Sequence, residues 1–403
     1  MSKKIGFFNT EFPSSPPFNK TETNCSGGAG YSLRDTVLNI DKDKFKCTII
    51  SVGSKNHVQK EKINQNTRLF RYPTLEPFFS NYGSPYKLIP TPQFVFGPSN
   101  KQFDLIHCHL GYPGAGLPAL YYKYKNGVPL VLSIRGSLNA NWGGLKRRIG
   151  METYLNTVMP LLLHKSDMVV VPTEGFISEA SILKGYEDEI RVVNNGVDFA
   201  AFSKKEASLI KDIPYYQELK EFNQKLLFVG DLVERKGIKT LMAAFESVID
   251  KYPSTCLIIV GSGPLKEFVE KRADKKGYSN KVILTGYVSS QDKLAKLYSC
   301  SDLFVFPSKA ETFGRVLLES MAAGTPCLVS DIGPLMSVIK KGEVGLHAEV
   351  DNPRDFADKI IEFFEMQDED KRMLEEKSVE YARRHSWSNV ARQMEEIYME
   401  LLS

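Results

Sequence analysis

"SDLFVFPSKAETFGRVLLESMAAGTP", residues 301–326, decides how this chain is read. Its opening, "SDLFVFPS" (301–308), is a short apolar run rich in aromatics and reads as a buried strand. Val316, Leu317, Met321 and Ala322 then recur at helical spacing over 314–323, and Gly324-Thr325-Pro326 ends the pattern. The stretch is strand, tight turn, helix, the geometry in which an α/β sheet offers backbone N–H groups to an anion. Glu311 and Glu319 stand eight positions apart around Phe313-Gly314, a carboxylate on each side of the helix start.

The same alternation runs through the second half: "KLLFVGD", helix 236–250, "TCLIIVG", helix 264–275, "KVILTGYV", helix 290–299, the strand above, then "PCLVSD". The first half shows strand-like runs at "KKIGFFN", "KCTIISV", "FDLIHCH", "VPLVLSI" and "DMVVVPT", and "IRVVNNGVD" (190–198) closes it. Strands alternating with helices predict parallel sheets with right-handed crossovers. Two such series in 403 residues predict two doubly wound α/β domains. The polar segment 199–224 joins them, and the boundary is set at 1–203 against 204–385. The terminal "RRHSWSNVARQMEEIYMELL" (383–402) reads as a helix capped by Ser386 or Ser388.

Apolar content of 42% and charged content of 25% are those of an ordinary globular chain. The net charge of +4 hides an asymmetry, with 23 Lys+Arg against 16 Asp+Glu in residues 1–200 and 29 against 32 in the remainder. A modest, dispersed basic excess argues against nucleic acid and for an anionic partner or membrane surface facing the first half. No apolar run approaches the roughly 20 residues of a membrane span. The six cysteines show no pairing motif, and Cys47, Cys256 and Cys327 fall in strand-like runs, so a reduced, cytoplasmic protein is expected.

In an open parallel sheet, ligands sit beyond the carboxyl ends of the strands. There this chain places Gly230-Asp231 with Arg235-Lys236-Gly237, then Gly261 and Gly263, then Tyr287-Val288, then the Glu311 turn. Arg235 and Lys236 suit a diphosphate, a planar fork beside a point charge. The N–H groups of Thr312, Phe313 and Gly314 add the positive end of a helix dipole. Carboxylates accept from sugar hydroxyls. Glu319, about five residues into the helix, lies roughly 7–8 Å along its axis, so the two Glu residues bracket a ligand with hydroxyls at both ends and phosphates between. A nucleotide sugar is such a ligand.

Blander readings exist for each residue. Glu311 serves equally as a favourable charge at a helix N-terminus, and Glu319 as a surface partner of Arg315. Gly261-Ser-Gly263 lacks the third glycine of a dinucleotide fingerprint, since Lys266 stands there, and no Lys-Ser/Thr follows Gly237 to make a P-loop. In His107-Cys108-His109 the two His share one strand face, as a buried or cleft-lining pair rather than a metal site. Asp41-Lys42-Asp43 reads as a solvated turn. The aromatic, Pro-rich segment 72–98 is either a packed loop or a lip for the acceptor or its membrane, helped by Lys146-Arg147-Arg148.

Taken together, these motifs resemble a retaining glycosyltransferase of the GT-B fold, glycosyltransferase family 4 with a "glycosyl transferases group 1" domain. The likeness rests on Glu311 and Glu319 as an E-x7-E motif, Gly230 with Arg235-Lys236-Gly237, Gly261-Ser-Gly263-Pro264, Asn195-Gly196-Val197-Asp198, and Gly27-Gly28 before a helix. It implies two Rossmann-like domains facing across a cleft, acceptor-side 1–203 completed by 386–403, and donor-side 204–385. It implies Glu311, Arg235 and Lys236 in catalysis. Donor contacts are implied from Gly27, Gly28, Arg135, Gly230, Gly261, Gly263, Val288, Thr312, Phe313, Gly314 and Glu319. His109 and Ser137 are assigned to the acceptor side, and Trp387 to anchoring the terminal helix. No cofactor or metal is expected. Arg135-Gly136-Ser137 departs from the histidine many relatives carry there. The reading is transfer from a nucleotide-diphosphate sugar, UDP favoured over GDP, to a saccharide or lipid-linked hydroxyl in surface polysaccharide or glycoconjugate synthesis. The protein is placed in the cytoplasm or on the inner membrane face. A GT-B epimerase of the UDP-N-acetylglucosamine 2-epimerase type and a non-catalytic nucleotide-sugar-binding subunit are the alternatives.

Overall fold

The computed structural model of the chain describes residues 2–10, 12–13, 28–53, 57–73, 91–111, 113–136, 138, 145–203 and 215–403. Gly27, Ser137, most of the 72–98 segment and Asp212-Ile213-Pro214 lie outside the described residues. The chain divides into two compact units, Met1–Asn195 with Trp387–Ser403, and Gly196–Ser386.

The first unit is built on β1 (Lys3–Phe8), β2 (Phe45–Gly53), β3 (Gln59–Lys62), β4 (Thr67–Pro73), β5 (Leu105–Leu110), β6 (Leu130–Ile134), β7 (Met168–Val171) and β8 (Ile190–Val192). Their order in the sheet is β3-β4-β2-β1-β5-β6-β7-β8. Every residue of β5, β6 and β7 is buried, as expected of strands covered on both faces. The β3–β4 pair is antiparallel, unlike the rest, and departs from the strict strand–helix alternation read from sequence. Gln59-Lys60-Glu61-Lys62 carries no apolar residue, so hydropathy gives no strand signal. Its charges suit an edge that resists further pairing.

Helix Trp387–Leu402 belongs to this unit although it ends the chain. Trp387, Val390, Ala391, Met394, Ile397 and Tyr398 make one apolar stripe, packed in a cluster with Ile5, Phe7, Leu33 and Val37. Because the helix begins at Trp387, Ser388 lies inside it and is not its cap.

The second unit holds β9 (Gln224–Val229), β10 (Thr255–Val260), β11 (Val282–Gly286), β12 (Leu303–Phe306), β13 (Cys327–Ser330) and β14 (Gly345–Ala348). The order β11-β10-β9-β12-β13-β14 is parallel throughout. The chain winds outward from β9 to β11, returns to β12 beside β9, and winds outward the other way. The order therefore reverses between β9 and β12, which opens a crevice at their carboxyl ends. Helices Lys266–Lys276, Gln291–Ser299 and Arg315–Ala322 fall within two residues of the sequence reading. The first helix, Ile238–Lys251, does so too, and its start follows a 3-10 turn at Glu234–Lys236. Among the described residues, no helix is long and apolar enough to cross a membrane.

Candidate functional site

The loops after β9 and β12 meet at the switch point and are stitched together by backbone. Lys309 N donates to Arg235 O at 2.8 Å, and Ser308 Oγ reaches the same oxygen at 3.2 Å. Contact this close needs a residue without a side chain. Gly237 has φ +70°, and a Cβ there would lie 1.9 Å from Pro307 O. Gly314, at φ +83°, makes the corresponding turn into helix Arg315–Ala322. Phe313, just before Gly314, is fully buried, so it anchors the turn by its ring and offers only backbone to a ligand.

The stitching brings three charged residues, distant in sequence, onto one point. Glu311 Oε1 accepts from Lys236 Nζ, from Ser308 Oγ at 2.9 Å and from Arg235 Nη1 at 3.3 Å. Arg235 Nη1 also donates to Ala310 O at 2.8 Å, and Lys236 Nζ lies 4.8 Å from the Phe306 ring centroid. The Glu311 side chain is 10% exposed and that of Lys236 13%. Burial alone would push the Glu311 carboxyl up. Lys236 and Arg235, with hydrogen bonds from Lys236 and Ser308, outweigh it and hold the carboxyl below its ordinary value. Burial drives the Lys236 ammonium below its ordinary value, Arg235 acts the same way, and Glu311 opposes both. Withdrawing two cations and a carboxylate from water gains little for stability. The arrangement instead holds two donors in fixed positions where an anion can exchange with the carboxylate.

Glu319, half-buried on the helix, accepts from the Tyr298 hydroxyl at 3.2 Å. Burial keeps the Tyr298 phenol well above its ordinary value, so it remains a donor. Gly261 packs against the loop after β9, where a Cβ would meet Gly230 O at 1.9 Å. A Cβ on Gly263 would lie 2.6 Å from Leu232 O. Val288 is half-buried against the core, and Tyr287 beside it is 62% exposed. Thr312 lies partly buried in the turn. Ser308 and Tyr298, which complete the two carboxylate environments, were not singled out by sequence. Ser308 reads as the end of a strand, and Tyr298 as one more core aromatic of its helix.

In the first unit, Gly28 opens helix Gly28–Asn39. Arg135, 8% exposed, donates from Nη1 to Val193 O at 2.9 Å and to Asn195 Oδ1 at 3.1 Å. Asn195 Oδ1 also accepts from Ser32 Oγ at 2.9 Å. Arg135 thus binds the end of β6 to the segment after β8, and burial lowers its guanidinium to about 10. His107 lies between the Tyr398 hydroxyl and Ser133 Oγ, each at 2.7 Å, and burial followed by the Arg135 charge lowers it to about 3. His109 pairs through Nε2 with Ala29 O at 3.1 Å, so that nitrogen carries the proton. Burial, His107 and Arg135 hold it neutral.

With this geometry in view, comparison with known proteins is informative. The model of "Glycosyl transferases group 1" matches residues 212–383, and that of "Glycosyltransferase Family 4" matches residues 26–201. An uncharacterized glycosyltransferase of Methanocaldococcus jannaschii is 30% identical over 310 residues, 74% of this chain and 75% of that protein. N-acetyl-alpha-D-glucosaminyl L-malate synthase of Bacillus anthracis is 24% identical over 320 residues, 79% of this chain and 80% of its own. Among solved structures, sucrose-phosphate synthase from Thermosynechococcus elongatus has a TM-score of 0.77 at 21% identity, covering 99% of both chains. Anabaena HepE in complex with UDP and glucose has a TM-score of 0.73 at 18% identity, covering 99% of this chain and 100% of that one. The fold is GT-B, two α/β units whose sheets are parallel apart from the β3–β4 pair.

Proposed function

The chain belongs to the glycosyltransferases, a family of transferase enzymes, and we propose that it is a retaining member using a nucleotide-diphosphate sugar. The observation that carries this reading is the convergence of Arg235, Lys236 and Glu311 at the β9–β12 switch point. A donor diphosphate takes the hydrogen bonds of Arg235 and Lys236, and the N–H groups of Thr312, Phe313 and Gly314 support it. Released from its ion pairs, Glu311 accepts from hydroxyls of the donor sugar, while Glu319 holds the ribose. The glycines at 230, 261 and 263 let backbone approach the ligand, and Val288 flanks the base. Similar structures were solved with UDP and with UDP-glucose, which supports UDP as the nucleotide.

In the transfer, the bond from the sugar C1 to the leaving phosphate oxygen breaks, and the acceptor oxygen bonds to C1 from the same face. The acceptor proton passes to the departing phosphate oxygen, so no protein nucleophile is consumed. Catalysis comes from positioning and from stabilising charge on the leaving diphosphate. The second unit carries the donor. The first unit carries the acceptor, with His109 and Ser137 assigned to it, while Gly27, Gly28 and Arg135 are assigned to the donor; Gly27 and Ser137 lie outside the described residues. The acceptor is a saccharide or lipid-linked hydroxyl in surface polysaccharide or glycoconjugate synthesis, met in the cytoplasm or at an anionic membrane. Lys146, Arg147 and Arg148 begin helix Leu145–Lys165 of the basic first half. Pelleting with anionic liposomes at low salt, lost when these three become Ala, is the expected membrane result.

Proton NMR of UDP-glucose turnover tests the stereochemistry. Retention predicts that the first-formed product carries the α-anomeric signal, and a β-anomer appearing first refutes it.

A further inference from the structure

At the other end of the second unit's sheet lies a cavity of about 480 Å³, lined in part by Asn223, Gln224, Asp302, Phe364, Lys371 and Glu375. Gln224 is the first residue of β9, and Gly230 follows its last. At ~3.3 Å per residue the cavity therefore lies roughly 20 Å from the switch-point crevice. None of the residues placed in that crevice lines it.

Its chemistry is distinct. Among the described residues, the side-chain amides of Asn223 and Gln224 have no protein hydrogen-bond partner, and the backbone alone of each is engaged. Asp302 Oδ2 accepts from Lys225 N at 2.6 Å, which leaves Oδ1 for a ligand. Lys371 Nζ donates to Phe364 O at 2.9 Å, and its charge is set against those of Asp302 and Glu375. With no surplus of cations the cavity is unsuited to phosphate. Two amides that each donate and accept, a carboxylate that accepts, and the partly exposed Phe364 ring instead match a molecule with hydroxyls around an apolar ring face. The volume falls in the usual range of small-ligand pockets, roughly 300–1,000 Å³.

We propose that this cavity is a second ligand site, for a neutral saccharide of one or two sugar units. It is separate from the donor crevice and does not depend on which donor that crevice takes.

Saturation-transfer difference NMR on the full chain tests it, with maltose, cellobiose and the N-acetylglucosamine disaccharide as probes and arginine methyl ester as a cationic counter-probe. At least one disaccharide should give a signal that saturating UDP does not remove. The Asn223→Ala/Gln224→Ala double variant, which changes two partly exposed side chains, should weaken that binding by about tenfold. Asp302→Asn, which keeps an acceptor for Lys225 N, should weaken it less. UDP binding measured on the same samples reports on the crevice independently. No signal from any disaccharide, signals unchanged in the double variant, or a response to arginine methyl ester alone would overturn the assignment.

Discussion

Ser308 Oγ lies 2.9 Å from Glu311 Oε1, at the point where the loops after β9 and β12 are joined. A fully buried hydroxyl thus shares the carboxylate oxygen that Lys236 and Arg235 also address. Ser308→Ala should cost about 1–3 kcal/mol of stability, because it removes a hydrogen bond to a buried charge. It should also lower transfer activity while leaving UDP affinity nearly intact. Urea denaturation and initial-rate kinetics on one preparation check both parts.

The two glutamates should separate by phenotype. Glu311→Ala is expected to retain UDP binding and lose transfer. Glu319→Ala should weaken UDP binding itself by about tenfold, the scale of one charge-assisted hydrogen bond. Calorimetric titration with UDP, paired with a transfer assay, measures the split, and wild-type-like behaviour in both variants contradicts the assignment.

Acid stability should carry the mark of Glu311. Its folded-state value lies below the ordinary 4.5, so the unfolded chain takes up that proton first as pH falls. The carboxylate's contribution is complete above pH 4.5 and is lost as pH falls through the lower folded value. Comparing wild type with Glu311→Gln from pH 7 to pH 3, the stability difference should stay constant to about pH 5 and then shrink. A difference that grows on acidification would contradict the ion-pair geometry.

Tyr398 joins the terminal helix to the first unit's sheet through His107 Nδ1 at 2.7 Å. Tyr398→Phe leaves that buried nitrogen without its partner, and should cost about 1–3 kcal/mol. The loss should appear as a lower urea midpoint for the first unit, with UDP binding unchanged.

Much of this architecture can be read from the chain itself, because strands buried on both faces leave unbroken apolar runs such as Thr255–Val260. The β3–β4 hairpin cannot, since an edge strand of alternating charge looks like a polar loop. The charged residues of the site stand out because Arg235, Lys236 and Glu311 interrupt the pattern just after strand ends. Neutral participants do not. Ser308 and Tyr298 matter only through the side chains they reach, and chain spacing carries no trace of that. The contact of Arg135 with Asn195, 60 residues away, is equally invisible until the sheet brings β6 beside the end of β8. The terminal helix is an intermediate case. Its apolar stripe predicts a buried face, and its start at Trp387 is fixed only by the structure.

The central claim is that the crevice at the β9–β12 switch point binds a nucleotide-diphosphate sugar. Thermal denaturation with UDP, GDP, ADP and their common sugar conjugates, in chelator, tests it most directly. A nucleotide present at about 100 times its Kd should stabilise the folded protein by about 2.7 kcal/mol, a rise of a few degrees. One nucleotide, UDP by this account, should stand out, and its effect should be reduced in Glu319→Ala. No shift with any of them, or a shift unchanged in Glu319→Ala, would contradict the claim.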